Sequence, residues 1–120
     1  MVTLSAPDLA KLIRNTVFRF SDEAALQDGI EVLLQRHGLD YRREMILSPQ
    51  DRIDFMVGDI GIEVKVASPL SSVQRQLFRY AKDQRVKSLI LVTTRAMHKQ
   101  CPEELLGKSV EVVHLLASIF

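Results

Sequence analysis

Two short segments of alternating hydrophobicity, separated by a turn signal, constrain the fold of this chain more than any other feature. Ile53–Val57 and Ile62–Val66 carry apolar side chains at every second position, and Gly58-Asp59-Ile60-Gly61 lies between them. Side chains alternate between the two faces of a β-strand, and glycine favours tight turns. The pattern therefore predicts a β-hairpin with one apolar face and one polar face.

A turn centred on Asp59-Ile60 sets the register of this hairpin. Asp54 then lies opposite Lys65, and Met56 lies opposite Glu63, with all four side chains on the polar face. The other face is expected to be core and consists of Ile53, Phe55, Val57, Ile62, Val64 and Val66. The hairpin thus brings two carboxylates and one ammonium onto one surface.

Helical and extended segments alternate along the rest of the chain. Helices are predicted over Ser5–Thr16, from an N-cap at Ser21 to His37 before Gly38, over Leu70–Gln84 and, as a short helix, over Cys101–Leu106. Further strands are predicted over Tyr41–Leu47, Ser88–Thr94 and Val110–Leu115. The first three strands form an antiparallel meander, and the fourth is expected to run parallel to the third because a helix connects them. The order predicts an α/β fold with a mixed central sheet flanked by helices.

Length and composition fit one soluble domain that spans residues 1–120. The chain is 47% hydrophobic, and its one cysteine, Cys101, allows neither an intramolecular disulfide nor a zinc-site spacing. A formal net charge of +1 provides no overall field to attract nucleic acid, so any such binding must come from local groups. The first residues do not resemble a signal peptide, and no apolar stretch approaches the ~20 residues that a bilayer requires. A cytoplasmic protein is expected.

The polar face of the hairpin is the first candidate site. Asp54 and Glu63 would be diagonal neighbours at roughly 7–8 Å, a span across which two carboxylates can share a hard cation. Oxygen ligands suit Mg²⁺ or Mn²⁺ rather than zinc, and Lys65 beside them could orient water or stabilise developing charge. The spacing is explained equally well by a solvent-facing hairpin with one Asp54–Lys65 ion pair.

Two helices carry further candidates. Glu23 shares the angular stripe of Leu26, Ile30 and Leu34, which favours either an additional metal or water ligand or an acid placed at the positive end of the helix dipole. Glu44, in the first strand, is expected to form a strand-edge salt bridge.

The helix that begins at Leu70 presents two sets of polar side chains. Gln76 and Tyr80 are four residues apart and share one face, so they are candidates to line the site. Arg75, Arg79 and Lys82 form a basic stripe on the other side, typical of either phosphate contacts or a solvated surface.

These segments resemble the catalytic core of the PD-(D/E)XK nuclease superfamily. Arg52-Ile53-Asp54 and Gly61-Ile62-Glu63-Val64-Lys65 match its hairpin motif, with Ile53 standing where the family name has proline. Gln76-Leu77-Phe78-Arg79-Tyr80 is similar to the Gln-x-x-x-Tyr helix motif of its RecB-like exonucleases. The α-β-β-β-α-β order of the family core is also the order predicted here, and the resemblance runs from about residue 21 to residue 94.

The resemblance implies a role for each of these residues. Asp54 and Glu63 would hold Mg²⁺ or Mn²⁺, and Lys65 would assist the attacking water. Glu23 would match the acidic residue of the first core helix, while Gln76 and Tyr80 would contact the site or the nucleic acid. The implied activity is metal-dependent hydrolysis of DNA phosphodiester bonds.

Two other functions are compatible with the same residues. One is an inactive nuclease-fold subunit that binds DNA or another protein, and the other is a plain α/β domain with an exposed charged hairpin. Family members of this size, resembling Holliday junction resolvases or virus-type replication-repair nucleases, work as oligomers, so a homodimer or larger assembly is expected. The apolar segment from Leu115 to Phe120 is its candidate interface, with core packing as the alternative.

Overall fold

A mixed six-stranded sheet, covered by helices on both faces, organises the protein in a computed structural model that describes residues 4–116. These described residues form three α-helices, which are α1 Ala6–Arg14, α2 Glu23–Arg36 and α3 Leu70–Ala81. The strands are β1 Arg42–Ile46, β2 Arg52–Val57, β3 Ile60–Lys65, β4 Ser88–Thr93, β5 Glu104–Leu105 and β6 Lys108–His114. A 3₁₀-helix covers Ala96–Gln100. The strand order is β1-β2-β3-β4-β6-β5.

The sheet combines the predicted meander with a parallel half. Strands β1, β2 and β3 pair antiparallel, whereas β3 pairs parallel with β4 through the α3 crossover, and β4 pairs parallel with β6. The short strand β5 closes the far edge antiparallel to β6. The prediction of an α/β fold with β4 parallel to β3 is confirmed.

Two hydrophobic cores lie on opposite faces of this sheet. The first packs α1 and α2 against the sheet and includes Leu9, Ile13, Leu26, Ile30, Phe55, Ile62 and Val64. The second packs α3 against the other face and includes Ile53, Met56, Val73, Leu77, Tyr80, Leu89 and Leu91. Both faces of the hairpin are therefore covered. No helix among residues 4–116 is long and apolar enough to cross a membrane.

The helix boundaries differ slightly from those expected. Asp22, rather than Ser21, caps α2, because its Oδ1 accepts the N–H of Ala25 at 2.8 Å. The helix ends before Gly38, whose φ of +64° suits a residue without a side chain. Helix α3 ends at Ala81, three residues before Gln84.

The short helix expected over Cys101–Leu106 is absent. Cys101 has the extended backbone favoured before a proline, and Pro102 cannot donate a backbone hydrogen bond. Leu106 and Gly107 have φ angles of +52° and +78° and form the tight turn between β5 and β6. At the C-terminus, Leu115 is buried and Leu116 is exposed, and the rest of the expected interface lies outside the described residues.

The register of the hairpin also differs from the prediction. Gly58 and Asp59 form a two-residue turn, so that Val57 pairs with Ile60 and Phe55 pairs with Ile62. Gly58 has a φ of +60°, which a two-residue hairpin turn requires at its first position. The prediction of a turn centred on Asp59-Ile60 is therefore wrong.

One predicted face assignment fails as well. Ile53 packs in the second core with Met56, whereas Phe55 packs in the first. The alternation of β2 is thus interrupted at Asp54, and Met56 is a core residue rather than part of a polar surface.

Candidate active site

The end of the β2–β3 pairing brings the two predicted carboxylates together. Continuing the observed register by one residue places Asp54 opposite Glu63. The Asp54 N–H donates to Glu63 Oε1 at 3.3 Å, and the Val64 N–H donates to Asp54 Oδ2 at 2.7 Å. Side-chain carboxylates therefore take hydrogen bonds that a regular ladder would give to backbone carbonyls.

Glu63 lies at the centre of this arrangement and is only 2% exposed. Its Oε2 lies 3.1 Å from Lys65 Nζ, and its Oε1 lies 3.2 Å from the Tyr80 hydroxyl. The same hydroxyl is 3.0 Å from the Arg52 carbonyl oxygen, so its single proton serves either acceptor. The ion pair that forms is Glu63–Lys65 instead of Asp54–Lys65, and the solvent-facing hairpin is excluded.

Glu23 reaches the same end of the sheet from α2. It is the first residue of that helix, where an acid is favoured by the helix dipole, and its Oε1 accepts the Val66 N–H at 3.3 Å. Val64 and Val66 are two residues apart, so their N–H groups lie along one edge of the chain. The Asp54 and Glu23 carboxylates thus accept hydrogen bonds from successive N–H groups on that edge.

Burial and mutual repulsion raise the pKa values of the acids in this cluster. Burial, followed by the negative charge of Asp54, raises the pKa of Glu63 to about 7, and Lys65 partly offsets this. Burial also raises the pKa of Asp54, while the Val64 N–H and Lys65 oppose the change. Burial and the neighbouring Glu63 carboxylate raise the pKa of the Tyr80 hydroxyl, which therefore stays protonated and acts as a donor.

A buried histidine, which the sequence did not single out, supports the segment that follows β3. His98 is fully buried; its Nε2 lies 2.7 Å from the Ser68 carbonyl oxygen and its Nδ1 lies 2.6 Å from Thr93 Oγ1. The carbonyl oxygen can only accept, so Nε2 carries a proton and donates to it, while Nδ1 shares a hydrogen bond with the Thr93 hydroxyl. No ligand spacing marks this histidine, which explains why sequence patterns do not reveal it.

The remaining predicted residues of α3 lie outside the carboxylate cluster. Gln76 is half-buried and lines a shallow cavity beside the Ser48–Arg52 turn. Arg75, Arg79 and Lys82 are exposed, as either a phosphate-binding or a solvated stripe requires. Arg79 Nε donates to Asp51 at 2.9 Å, and Lys82 Nζ lies 4.8 Å from the centre of the Phe78 ring.

The donor set at the cluster fits a hard divalent cation that also binds water. Asp54 and Glu63 offer carboxylate oxygens, and among residues 4–116 no N–H group and no Ser, Thr or Tyr hydroxyl donates to Asp54 Oδ1. In that part of the chain no three His, Cys, Asp or Glu side chains are grouped closely enough to form a complete ligand set. Mg²⁺ commonly binds through one or two carboxylates and keeps several waters.

Comparisons of the chain with protein-family models, curated proteins and solved structures found no match.

Proposed function

We propose that this chain is a divalent-metal-dependent nuclease of the PD-(D/E)XK type that hydrolyses DNA phosphodiester bonds. Asp54 and Glu63 hold Mg²⁺ or Mn²⁺, and Lys65 assists the attacking water. The observation that carries the proposal is the burial of Glu63 between the Asp54 N–H, the Lys65 ammonium and the Tyr80 hydroxyl. Buried polar clusters of this kind are costly to the fold and concentrate at functional sites.

The charges of the cluster favour an added cation. When both acids are ionised, Asp54 and Glu63 carry two negative charges against the single positive charge of Lys65. Glu23 adds a further carboxylate at the adjacent amide. Because low-polarity surroundings strengthen repulsion between like charges, a divalent cation would stabilise the ionised form of the pair.

The side chains divide the remaining work of hydrolysis. Water adds to phosphorus and loses a proton, while the leaving oxygen gains one as its bond to phosphorus breaks. A bound divalent cation supplies Lewis-acid polarisation of the phosphodiester. The Lys65 ammonium, 3.1 Å from Glu63 Oε2, donates hydrogen bonds to the water or to the developing negative charge. The Tyr80 hydroxyl and the Asp54 N–H fix Glu63 Oε1 in place.

The order of elements supports the family assignment. Helix α2, strands β1 to β3, helix α3 and strand β4 follow the α-β-β-β-α-β order of the superfamily. Asp54 and Glu63 lie at facing positions of the hairpin, and Tyr80 on α3 contacts Glu63 directly. The proposal includes DNA as the substrate. It also includes a homodimer or larger assembly, because a domain this small offers little surface to a duplex.

A metal titration tests the proposal most directly. Calorimetry with MnCl₂ should show saturable binding to the wild type and at least a ten-fold weaker affinity for Asp54→Asn. Asp59→Asn is the matched control, because Asp59 lies exposed at the tip of the same hairpin. Wild-type affinity in Asp54→Asn would contradict the assignment of this ligand.

A cleavage assay tests the activity itself. Labelled linear, nicked, branched and single-stranded DNA are incubated with Mg²⁺ and with wild type, Glu63→Gln, Lys65→Ala or the exposed control Lys87→Ala. We expect cleavage only by the wild type and the control, with Mn²⁺ binding retained by Lys65→Ala because an ammonium is not a ligand. Metal binding without cleavage of any substrate would favour an inactive nuclease-fold subunit.

A further inference from the structure

Glu44 has an unusual backbone conformation in the middle of strand β1. Its φ is +56°, in the left-handed region that residues other than glycine and asparagine rarely adopt. Pairing with β2 is regular on both sides, through Arg43–Phe55 and Met45–Ile53, but is interrupted at Glu44 itself. The residue across this gap, by the same register, is Asp54.

The two strands exchange faces at this gap. The Arg43 guanidinium lies 5.7 Å from the centre of the Phe55 ring, and Phe55 belongs to the core beneath α2. Met45 and Ile53, the next pair along, pack instead in the core beneath α3. Residues two apart share a face in a regular strand, so both strands turn over between these pairs.

Gly61 accommodates this exchange on the α3 face. A Cβ atom at this position would lie 2.5 Å from Ile53 Cδ1. The side chain of Ile53 therefore fills the space that a side chain at Gly61 would take. This contact places Ile53 on the α3 face and is a second observation of the exchange, independent of the backbone conformation of Glu44.

The exchange determines where the Asp54 carboxylate points. In a regular strand Asp54 would share the α3 face with Met56 and lie directly beside Glu63. Instead its Oδ2 accepts the Val64 N–H at 2.7 Å, between β2 and β3. Glu23 takes the next amide along the same edge, that of Val66. The carboxylates are therefore distributed around the end of β3 and not stacked on one face.

We infer that Glu44 is a positioning residue whose left-handed backbone turns β1 and β2 over and directs the Asp54 carboxylate toward β3. The role of this carboxylate in metal binding rests on the proposed function, whereas its position does not. The Glu44 side chain itself contributes little, because it is 54% exposed and its only ion pair among residues 4–116 is with Arg52 at 4.0 Å. The inference thus concerns the backbone at this residue.

Three substitutions separate the backbone from the side chain. Glu44→Gly adopts the left-handed conformation more easily, Glu44→Ala removes the carboxylate alone, and Glu44→Val strongly disfavours that conformation. The amide proton of Val64, followed by NMR without metal, reports its hydrogen bond to Asp54. We expect the wild-type signal in the glycine and alanine variants and a loss of the hydrogen-bonded shift in the valine variant.

Metal affinity gives the second measurement. Mn²⁺ should bind to Glu44→Val about ten-fold more weakly than to the wild type. Its affinity for Glu44→Gly should lie within about two-fold of the wild-type value. An unchanged Val64 signal in the valine variant overturns the inference. A lost signal combined with no Mn²⁺ binding by the wild type supports the positioning role and overturns the proposed function, so the two failures are distinguishable.

The glycine and alanine variants keep the inference testable if Glu44→Val does not fold. Glycine relieves a disfavoured conformation that alanine retains, so Glu44→Gly should unfold at a higher urea concentration than Glu44→Ala. An equal or lower midpoint for Glu44→Gly overturns the inference.

Discussion

Glu63 makes the fold sensitive to pH because its carboxyl group is buried beside a second acid. Its pKa rises from 4.5 to about 7 on folding, so the folded protein binds a proton more tightly than the unfolded chain. A group with a raised pKa contributes full stability below its unfolded pKa, and that contribution is lost as pH rises through the folded value. Metal-free protein therefore loses stability between about pH 4.5 and pH 7 through this residue.

Glu63→Gln should remove this dependence. The amide does not titrate, so in EDTA the variant should gain stability over the wild type as pH rises, reaching on the order of 3 kcal/mol above pH 7. Urea denaturation at pH 5, 6, 7 and 8 measures the difference. Glu103→Gln, an exposed exchange of the same type, should give none. A stability difference between variant and wild type that stays constant from pH 5 to pH 8 would mean that ionisation of Glu63 does not destabilise the fold.

Gly61 and Ile53 provide a second residue-scale test. A methyl group at Gly61 would meet Ile53 Cδ1 at 2.5 Å and Leu89 Cδ2 at 3.1 Å, so Gly61→Ala should destabilise the protein by about 1 kcal/mol or more. Ile53→Val removes Cδ1 and costs roughly 0.5–1.5 kcal/mol alone. The double variant should lose less stability than the sum of the losses in the two single variants. A double-mutant cycle in urea measures this difference. Strict additivity would place the two side chains apart.

At the scale of elements, the start of α2 determines how Glu23 meets the end of β3. The Asp22 side chain accepts the Ala25 N–H at 2.8 Å, and the helix begins at the next residue. Ser21 is the cap predicted from the sequence, but serine and aspartate are both good caps, so residue type alone cannot rank these two adjacent candidates. The observed hydrogen bond distinguishes them.

Paired alanine substitutions test this boundary. Asp22→Ala should lower the free energy of unfolding by about 1 kcal/mol, whereas Ser21→Ala should change it by only a few tenths. Chemical denaturation of both variants measures the contrast. A larger loss in Ser21→Ala than in Asp22→Ala would move the helix start back by one residue.

The alternation of elements was predictable because hydrophobic periodicity and turn residues specify it locally. The details of the hairpin were not. Whether Gly58-Asp59 or Asp59-Ile60 forms the turn depends on a backbone conformation that residue types only suggest. The left-handed Glu44 and the face exchange at Ile53 depend on packing against both cores, which no local pattern contains. Nevertheless, Asp54, Glu63, Lys65 and Tyr80 meet, because they flank one turn and one crossover.

At the scale of the whole molecule, charge is nearly balanced, so the DNA binding that the proposed function requires would have to come from a local surface. The formal net charge is +1. The exposed side of α3 offers Arg75, Arg79 and Lys82 away from the sheet. Arg79 already donates to Asp51 and would have to give up that bond to contact a phosphate. The three cations should therefore contribute unequally.

The salt dependence of DNA binding measures each contribution. For each phosphate that a variant no longer neutralises, the slope of log K against log salt should fall by about 0.9 for duplex DNA. Under the proposed function, Arg75→Ala and Lys82→Ala should each flatten the slope by about this amount, and Arg79→Ala by less, when binding is titrated in EDTA to prevent cleavage. Lys11→Ala is the matched control, since Lys11 is exposed on α1 against the opposite core. A slope unchanged in both Arg75→Ala and Lys82→Ala would show that this side of α3 is only a solvated surface.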